Sequence, residues 1–453
     1  INKRVRVRDR AEIKEIENNE QVKRDNQLPS NCYFLGKDKI LCYPRTYGIS
    51  KYPYNYDGRV MWVYSSGMVK VEESTFNIFL PAWEGSEPNF ALFGGIKEGE
   101  TYQSFPLMSI DKKENEYKRC MVYSPTAAYF FTFIQDLVYA VKLFIDCQKQ
   151  ICVSVNITNN GKEDKEVLLS SYYDLFMCHD VADFFETKWY KKGETHENYG
   201  IVESLEYFGG NNRPHHYGLV RRSLTNLYNA KVSQTPSRIN YTGGYSIGVR
   251  SANCLTRGKF EEERNVCSFT EKTIYGDVMT FTLAKEDCAR VDYVITVSGD
   301  KAYIQGLSRN ALTADYMDGQ YKEIKDEKKK NGIEEKISMT FDKIKNGLMP
   351  NVMNNFLANV VKQVDFCSKA KNFAGRFLGT RDIFQQVEAC LMWDSEYCRE
   401  KIKQCISFIG EDGRAPRQFA FPQKGSLVTE MDLRKFIDQG VWIISTVYSY
   451  LCF

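Results

Sequence analysis

The chain has 453 residues, and at roughly 150 residues per domain that length suggests two or three domains with a large core. Its 61 Lys and Arg against 58 Asp and Glu leave a formal charge of +3, too even for a dedicated nucleic-acid binder or for partners held by bulk charge. Apolar residues at 43% and charged residues at 26% exclude a disordered or fibrous chain. Residues 1–30 mix both charges around Ile13 and Ile16, which reads as a solvated helix or tail. From residue 31 to residue 307, short β-branched and aromatic runs alternate with Gly, Asn and Asp, as strands and turns do. Examples are Val60-Met61-Trp62-Val63-Tyr64 after Asp57-Gly58, residues 76–80 before Pro81, and residues 278–283 after Gly276-Asp277. Asn159-Asn160-Gly161 separates the runs 151–157 and 167–173 and reads as a hairpin. So many strands without helical periods predict a large antiparallel β-sandwich. The aromatic surplus suits its core, and Trp62, Trp83, Trp189, Trp393 and Trp442 read as core residues ahead of sugar platforms.

Past residue 307 the period becomes helical. Ile333, Ile337, Phe341, Ile344 and Leu348, behind the charged run 322–330 and ahead of Pro350, predict a helical linker over 308–350. Met353, Phe356, Leu357, Val360, Val361 and Val364 share one face of a second helix, and further helices are expected over 383–391, 398–409 and 436–453. An all-α domain is therefore expected over 351–453, with its last helix, apolar nearly all round, buried on several sides. The segment holds about five helices, and it ends without a Gly or Pro stop or a charged last turn. It reads as the start of a longer domain, and Ile1 as a start that is not the translated one.

Fourteen cysteines lie scattered with no Cys-x-x-Cys, the pattern of reduced, buried thiols in a cytoplasmic protein. The four histidines, His179, His196, His215 and His216, cannot assemble a local zinc site with them, so no metal is expected. The longest apolar stretches, 124–135 and 441–453, fall short of the roughly 18 residues of a membrane span, so a soluble protein without a membrane partner is expected. No Gly-rich phosphate loop of the dinucleotide or Walker type occurs, so no nucleotide cofactor is expected. His215-His216 with Arg213, Arg221 and Arg222 reads as a small basic surface loop, with a barrel mouth or subunit contact as the alternative. Glu411, Asp412 and Asp432 read as solvated carboxylates near turns.

The densest set of hydrogen-bonding side chains lies in residues 375–388, where Arg376, Arg381, Asp382, Gln385 and Gln386 precede or open a helix. Planar Arg suits bidentate capture of phosphate, Asp and Gln suit vicinal sugar hydroxyls, and a helix N-terminus adds donors for an anion. The plainer alternative is that Asp382 is an N-terminal cap and Arg381 its ion-pair partner.

Gly379-Thr380-Arg381-Asp382-Ile383-Phe384-Gln385-Gln386 resembles the Gly-x-Arg-Asp-x-x-Gln-Asp signature of the inverting phosphorylases of glycoside hydrolase family 94, the cellobiose and chitobiose phosphorylase group. Residues 411–418 (Glu-Asp-Gly-Arg-Ala-Pro-Arg-Gln) and 436–442 (Phe-Ile-Asp-Gln-Gly-Val-Trp) are similar to the next two barrel segments of that family, in the same order. Gln386 in place of the family's Asp, with Arg417-Gln418 and Asp438-Gln439-Gly440-Val441-Trp442, is most similar to the 1,2-β-oligoglucan (sophorooligosaccharide) phosphorylase branch. Residues 57–63 and 122–129 resemble that branch's β-sandwich.

The resemblance implies a β-sandwich, a helical linker and an (α/α)6 barrel, of which 351–453 would be the truncated start. It implies reversible phosphorolysis of β-1,2-linked glucooligosaccharides to α-glucose 1-phosphate with inversion, with inorganic phosphate as co-substrate and no other cofactor; a homodimer is left open. Arg381 and Asp382 would sit at the donor glucose or phosphate site, Gln386 at donor hydroxyls, and Arg376 beside phosphate. The family's catalytic acid lies in an Asp-Trp-Asn-Asp or Asp-Trp-Asp-Asp motif that is not found here; Met392-Trp393-Asp394-Ser395 reads instead as a helix end. The general acid is therefore expected beyond Phe453, and these 453 residues alone are expected to show no phosphorolysis. The alternatives are a non-catalytic carbohydrate-binding or structural sandwich and a glycoside hydrolase on the same architecture, which would need a second carboxylate to activate water.

Overall fold

The computed structural model describes residues 13–14, 16–28, 32–35, 39–43, 51–56, 59–73, 76–80, 87–108, 118–178, 191–205, 215–227, 229–267, 271–331, 340–341, 353–358, 360–361, 378–420, 430–435 and 438–453. Among them, strands of the N-terminal region form three antiparallel sheets. The largest has twelve strands, running in spatial order from Gln27–Leu28 through Cys32–Leu35, Lys39–Cys42, Lys118–Tyr123, Ala128–Ile134, Leu137–Ile145, Ile151–Asn159, Cys288–Ser298, His215–Thr225, Tyr199–Leu205 and Lys191–His196 to Val266–Cys267. A five-stranded sheet holds Lys231–Ser237, Thr273–Leu283, Lys165–Tyr173, Phe90–Glu98 and Thr101–Pro106 in that order. A four-stranded meander follows the chain from Lys51–Tyr56 through Arg59–Tyr64 and Val69–Glu73 to Phe76–Phe79.

The expected sandwich forms where one face of the large sheet packs on both smaller ones. Phe105 of the five-stranded sheet meets Tyr139 edge-on at 5.3 Å, Tyr52 of the meander stacks on Tyr123 at 5.3 Å, and Phe79 and Phe90 join the two smaller sheets at 5.1 Å. The other face of the large sheet is covered as well. Helix α1 (Lys301–Ser308) and helix α2 (Ala314–Asn331) follow the last long strand, and Met317, Tyr321 and Ile324 of α2 bury themselves on Phe131, Ala140, Phe144 and Val294. A strand buried on both faces loses its apolar-polar alternation, which is why residues 137–145 read as a nearly unbroken apolar run.

The structure corrects three sequence expectations here. Ile13 and Ile16 are buried in the same cluster as α2, and Glu17 accepts a hydrogen bond from the Tyr43 hydroxyl at 2.8 Å, so this stretch is docked, not solvated. Asn159-Asn160-Gly161 is no hairpin: the strand before it belongs to the large sheet and the strand after it to the five-stranded one. The buried Asn159 carboxamide holds this corner, donating to the Glu163 carbonyl at 2.8 Å and accepting from the Gly161 amide at 2.9 Å. The basic loop is instead the strand His215–Thr225, with Arg221 and Arg222 buried, His215 on Glu203 at 3.0 Å and His216 packed on Phe76 at 4.4 Å; Arg213 lies outside the described residues. Most of the expected linker periodicity (Ile333, Ile337, Ile344, Leu348) lies outside the described residues, as do the Asp57-Gly58 turn, Trp83 and Trp189.

One buried carboxyl in the sandwich gives a pH test. Asp146 turns the chain between two long strands and accepts the amides of Gln148 at 2.9 Å and Gln150 at 2.7 Å. Burial nevertheless pushes its carboxyl up to about 6, outweighing those hydrogen bonds. A folded-state value above the unfolded one means that the folded chain holds the proton more tightly. The resulting stabilisation is complete below about pH 4 and is lost as pH rises through about 6. The stability of wild type relative to Asp146→Asn, whose Oδ1 can still accept both amides, is expected to fall by about 2–3 kcal/mol between about pH 4 and pH 7 in denaturant titrations. A difference that stays flat with pH would show that this carboxyl titrates normally.

Helices are present near 383–391, 398–409 and 436–453, the first two starting three residues earlier than expected and the last three residues later. Helix α3 (Thr380–Cys390), helix α4 (Ser395–Ile406) and helix α5 (Gln439–Cys452) enclose a core of Ile383, Phe384, Val387, Cys390, Trp393, Cys398, Ile402 and Phe419. The expected all-α composition is corrected by a small antiparallel sheet of Leu378–Gly379, Gln418–Ala420 and Glu430–Asp432. Helix α5 is likewise not buried on several sides within the described residues. Trp442, Ile443 and Val447 pack on the core, whereas Val441, Ile444, Tyr448 and Leu451 form an exposed stripe, with Ile444 72% exposed.

Candidate functional site

The small sheet and the start of α3 assemble the candidate site. Gly379 pairs with Gln418 across the sheet and caps α3 in an extended conformation, with no side-chain cap of its own. The next residue supplies the anchoring: the Thr380 hydroxyl donates to the Pro416 carbonyl at 2.6 Å and its amide to the Arg417 carbonyl at 3.1 Å. The Arg417 amide in turn donates to the Asp432 carbonyl at 2.7 Å. Helix α3 therefore begins three residues before the expected Ile383, and Asp382 lies in its first turn, where a negative charge favours the helix N-terminus.

Asp382 is thus not the helix cap, and Arg381 is not its ion-pair partner. Arg381 instead reaches Asp438, the residue that caps α5, through Nη1 at 3.1 Å from Oδ2. The three segments singled out in the sequence, 379–386, 411–418 and 436–442, converge at one corner through these contacts. A further clamp joins α3 to α5, because Glu388 accepts hydrogen bonds from Ser445 at 3.1 Å and Thr446 at 2.9 Å.

Helical geometry separates the candidate side chains. Phe384 and Glu388 face α5, on the same flank as Arg381, while Asp382 and Gln386, four residues apart, share the border between the buried and exposed faces. Both are half-buried, and no described residue pairs with the Asp382 carboxylate. Arg381 and Asp382 therefore diverge from a common helix end, while Asp382 and Gln386 stand in line. Arg376 lies outside the described residues.

Two nearby carboxylates are held in their ionised forms. Hydrogen bonds from the Arg434 side chain and amide pull the Asp432 carboxyl down to about 2, with Nη2 at 2.7 Å from Oδ2. The amide and the guanidinium of Arg414 lower the Asp412 carboxyl in the same way. Groups held this far down are poor proton donors at neutral pH. Met392-Trp393-Asp394-Ser395 is a helix junction, as expected: Trp393 is buried, and Asp394 caps α4 by accepting the Tyr397 amide at 3.2 Å.

The Arg381–Asp438 pair gives a second test. Its side chains are 35% and 43% exposed, so solvent screens the attraction and the pair contributes little to folding. Asp438→Ala is expected to change stability by no more than about 1 kcal/mol in denaturant titrations. A loss of several kcal/mol would make the pair a structural strut.

No family model matches the chain, and no curated protein matches it. Among solved structures, a protein assigned as a kojibiose phosphorylase from the human microbiome is similar at 7% identity and TM-score 0.46, over 94% of this chain and 57% of that one. A GH92 family glycosyl hydrolase is similar at 8% identity and TM-score 0.39, over 88% of this chain and 52% of its own. A family GH92 α-mannosidase from Bacteroides thetaiotaomicron is similar at 9% identity and TM-score 0.34, over 74% of this chain and 40% of its own. The chain therefore spans little more than half the length of the first of these structures.

Proposed function

We propose that the chain supplies the β-sandwich (31–307), the helical linker (308–350) and the first part of an (α/α)6 barrel (351–453) in a cytoplasmic phosphorylase that cleaves β-1,2-linked glucooligosaccharides to α-glucose 1-phosphate with inversion. The supporting observation is the convergence of 379–386, 411–418 and 436–442 on one corner, since these are the segments whose residues resemble inverting phosphorylases. Phosphate is already an anionic nucleophile, so it needs no carboxylate to activate it, unlike the water of an inverting hydrolase. One general acid and an anion cradle are enough. In this reading the Arg381 fork, held from behind by Asp438, faces phosphate or the donor sugar, and Arg376 adds a second guanidinium. Asp382 and Gln386 accept and donate to donor hydroxyls, and a segment beyond Phe453 brings the acid.

Titrating α-glucose 1-phosphate into this chain tests the assignment of the corner. Saturable binding is expected, weakened about tenfold or more in Arg381→Ala and in Asp382→Ala through loss of a charge-assisted hydrogen bond. Binding of equal strength in wild type and both variants would remove these residues from the site.

A further inference from the structure

Two thiols of the sandwich lie in a geometry that the proposed activity does not use. Cys32 and Cys42 occupy directly opposed positions of the antiparallel strands Cys32–Leu35 and Lys39–Cys42. Opposed residues in such a pair have Cα atoms about 4.5 or 5.5 Å apart, and both values fall within the span of about 4.4–6.8 Å that a disulfide bridges. The two sulfurs are 3.2 Å apart, with the Cys32 thiol donating to Cys42. Both side chains are buried in the main core, so neither sulfur has room to turn outward. We propose that Cys32 and Cys42 form a redox-sensitive pair that closes to a cross-strand disulfide when a low-molecular-weight disulfide such as oxidised glutathione is available.

Closure takes two exchange steps. The thiolate of one cysteine attacks a sulfur of glutathione disulfide, forming a mixed disulfide and expelling one glutathione thiolate. The thiolate of the other cysteine then attacks the protein sulfur of that mixed disulfide, forming the Cys32–Cys42 bond and expelling the second glutathione. The protein loses two electrons, glutathione disulfide gains two, and the two thiol protons end on two molecules of glutathione.

The same surroundings set the rate. Hydrogen-bonded contact with the Cys32 sulfur, which holds Cys42 protonated, followed by burial, raises the Cys42 thiol well above its ordinary range, so thiolate is scarce while the strands are closed. The pair lies next to the edge of the large sheet, where, among the described residues, only the two-residue strand Gln27–Leu28 lies outside it. Exchange therefore proceeds through local opening of that edge, slowly, toward a favoured product. Once formed, the bond ties the first strands of the sandwich together and restricts the unfolded chain.

The test equilibrates the folded chain in glutathione buffers of increasing disulfide fraction, followed by quenching, alkylation and peptide mapping. The fraction of peptide linked through Cys32 and Cys42 is expected to rise about tenfold or more across the series, with a loss of about 2 Da per chain and a higher melting temperature. Cys42→Ser is expected to abolish both the linked peptide and the rise in melting temperature. Mapping of wild type alone decides the matter if that variant folds poorly. Recovery of Cys32 and Cys42 as alkylated thiols, under conditions that modify the exposed Cys452, would overturn the proposal.

Discussion

Asp277→Ala is expected to lower the stability of the sandwich by about 3–5 kcal/mol in denaturant unfolding, because it leaves a buried guanidinium without its counter-ion. The Arg222 and Asp277 side chains are 2% and 0% exposed and meet at 3.0 Å between the large and five-stranded sheets. Asp277 also accepts from the Ser171 hydroxyl at 2.7 Å, the Ser171 amide at 3.1 Å, the Tyr293 hydroxyl at 3.1 Å and the Tyr275 hydroxyl at 3.3 Å. Removing the carboxylate thus strips partners from several buried donors at once, and each such loss costs about 1–3 kcal/mol in isolation. Replacing both charges by apolar groups, Arg222→Met with Asp277→Leu, is expected to recover only the part of the loss due to the unpaired guanidinium, since the Ser171, Tyr275 and Tyr293 donors still lack their acceptor. A loss below about 1 kcal/mol in Asp277→Ala would show that water reaches this pair.

Asp382→Ala, made in a version of the protein that extends past Phe453 and includes the proposed general acid, is expected to lower phosphorolysis about 10²- to 10³-fold. That is the scale of removing one polar group aimed at a reacting substrate. Stability should be little affected, because no described residue pairs with the Asp382 side chain. The split between activity and stability separates a substrate contact from a helix-terminal charge, which would cost at most about 1 kcal/mol of stability and leave turnover intact. Unchanged turnover would remove Asp382 from the site.

Much of this organisation was legible in the sequence because strands and helices write their period locally. The runs at residues 60–64 and 278–283 and the stretches after residue 380 appear as strands and helices in the structure. Sheet partnership is not local. Nothing near Asn159 shows that its two flanking strands enter different sheets, and the Asn-Asn-Gly turn chemistry serves a corner as well as a hairpin. Arg222 looked like part of a basic patch because its neighbours in sequence are His and Arg; its carboxylate partner lies 55 residues away.

The candidate site divides in the same way. Residue types in 379–386 were visible, but the start of α3 was not, since Thr380 is anchored by Pro416, 36 residues on. The small sheet uses strands of only two or three residues, too short for any periodic signal. The link from Arg381 to Asp438 spans 57 residues and could be anticipated only from the order of the three segments, not from charge or spacing.

The reaction itself is the most direct test of the central proposal. With β-1,2-linked glucooligosaccharides, the extended protein is expected to release α-glucose 1-phosphate only when inorganic phosphate is present, with inversion visible in the anomeric proton signal. Release of free glucose at the same rate with and without phosphate would contradict it, and would place this corner in a hydrolase.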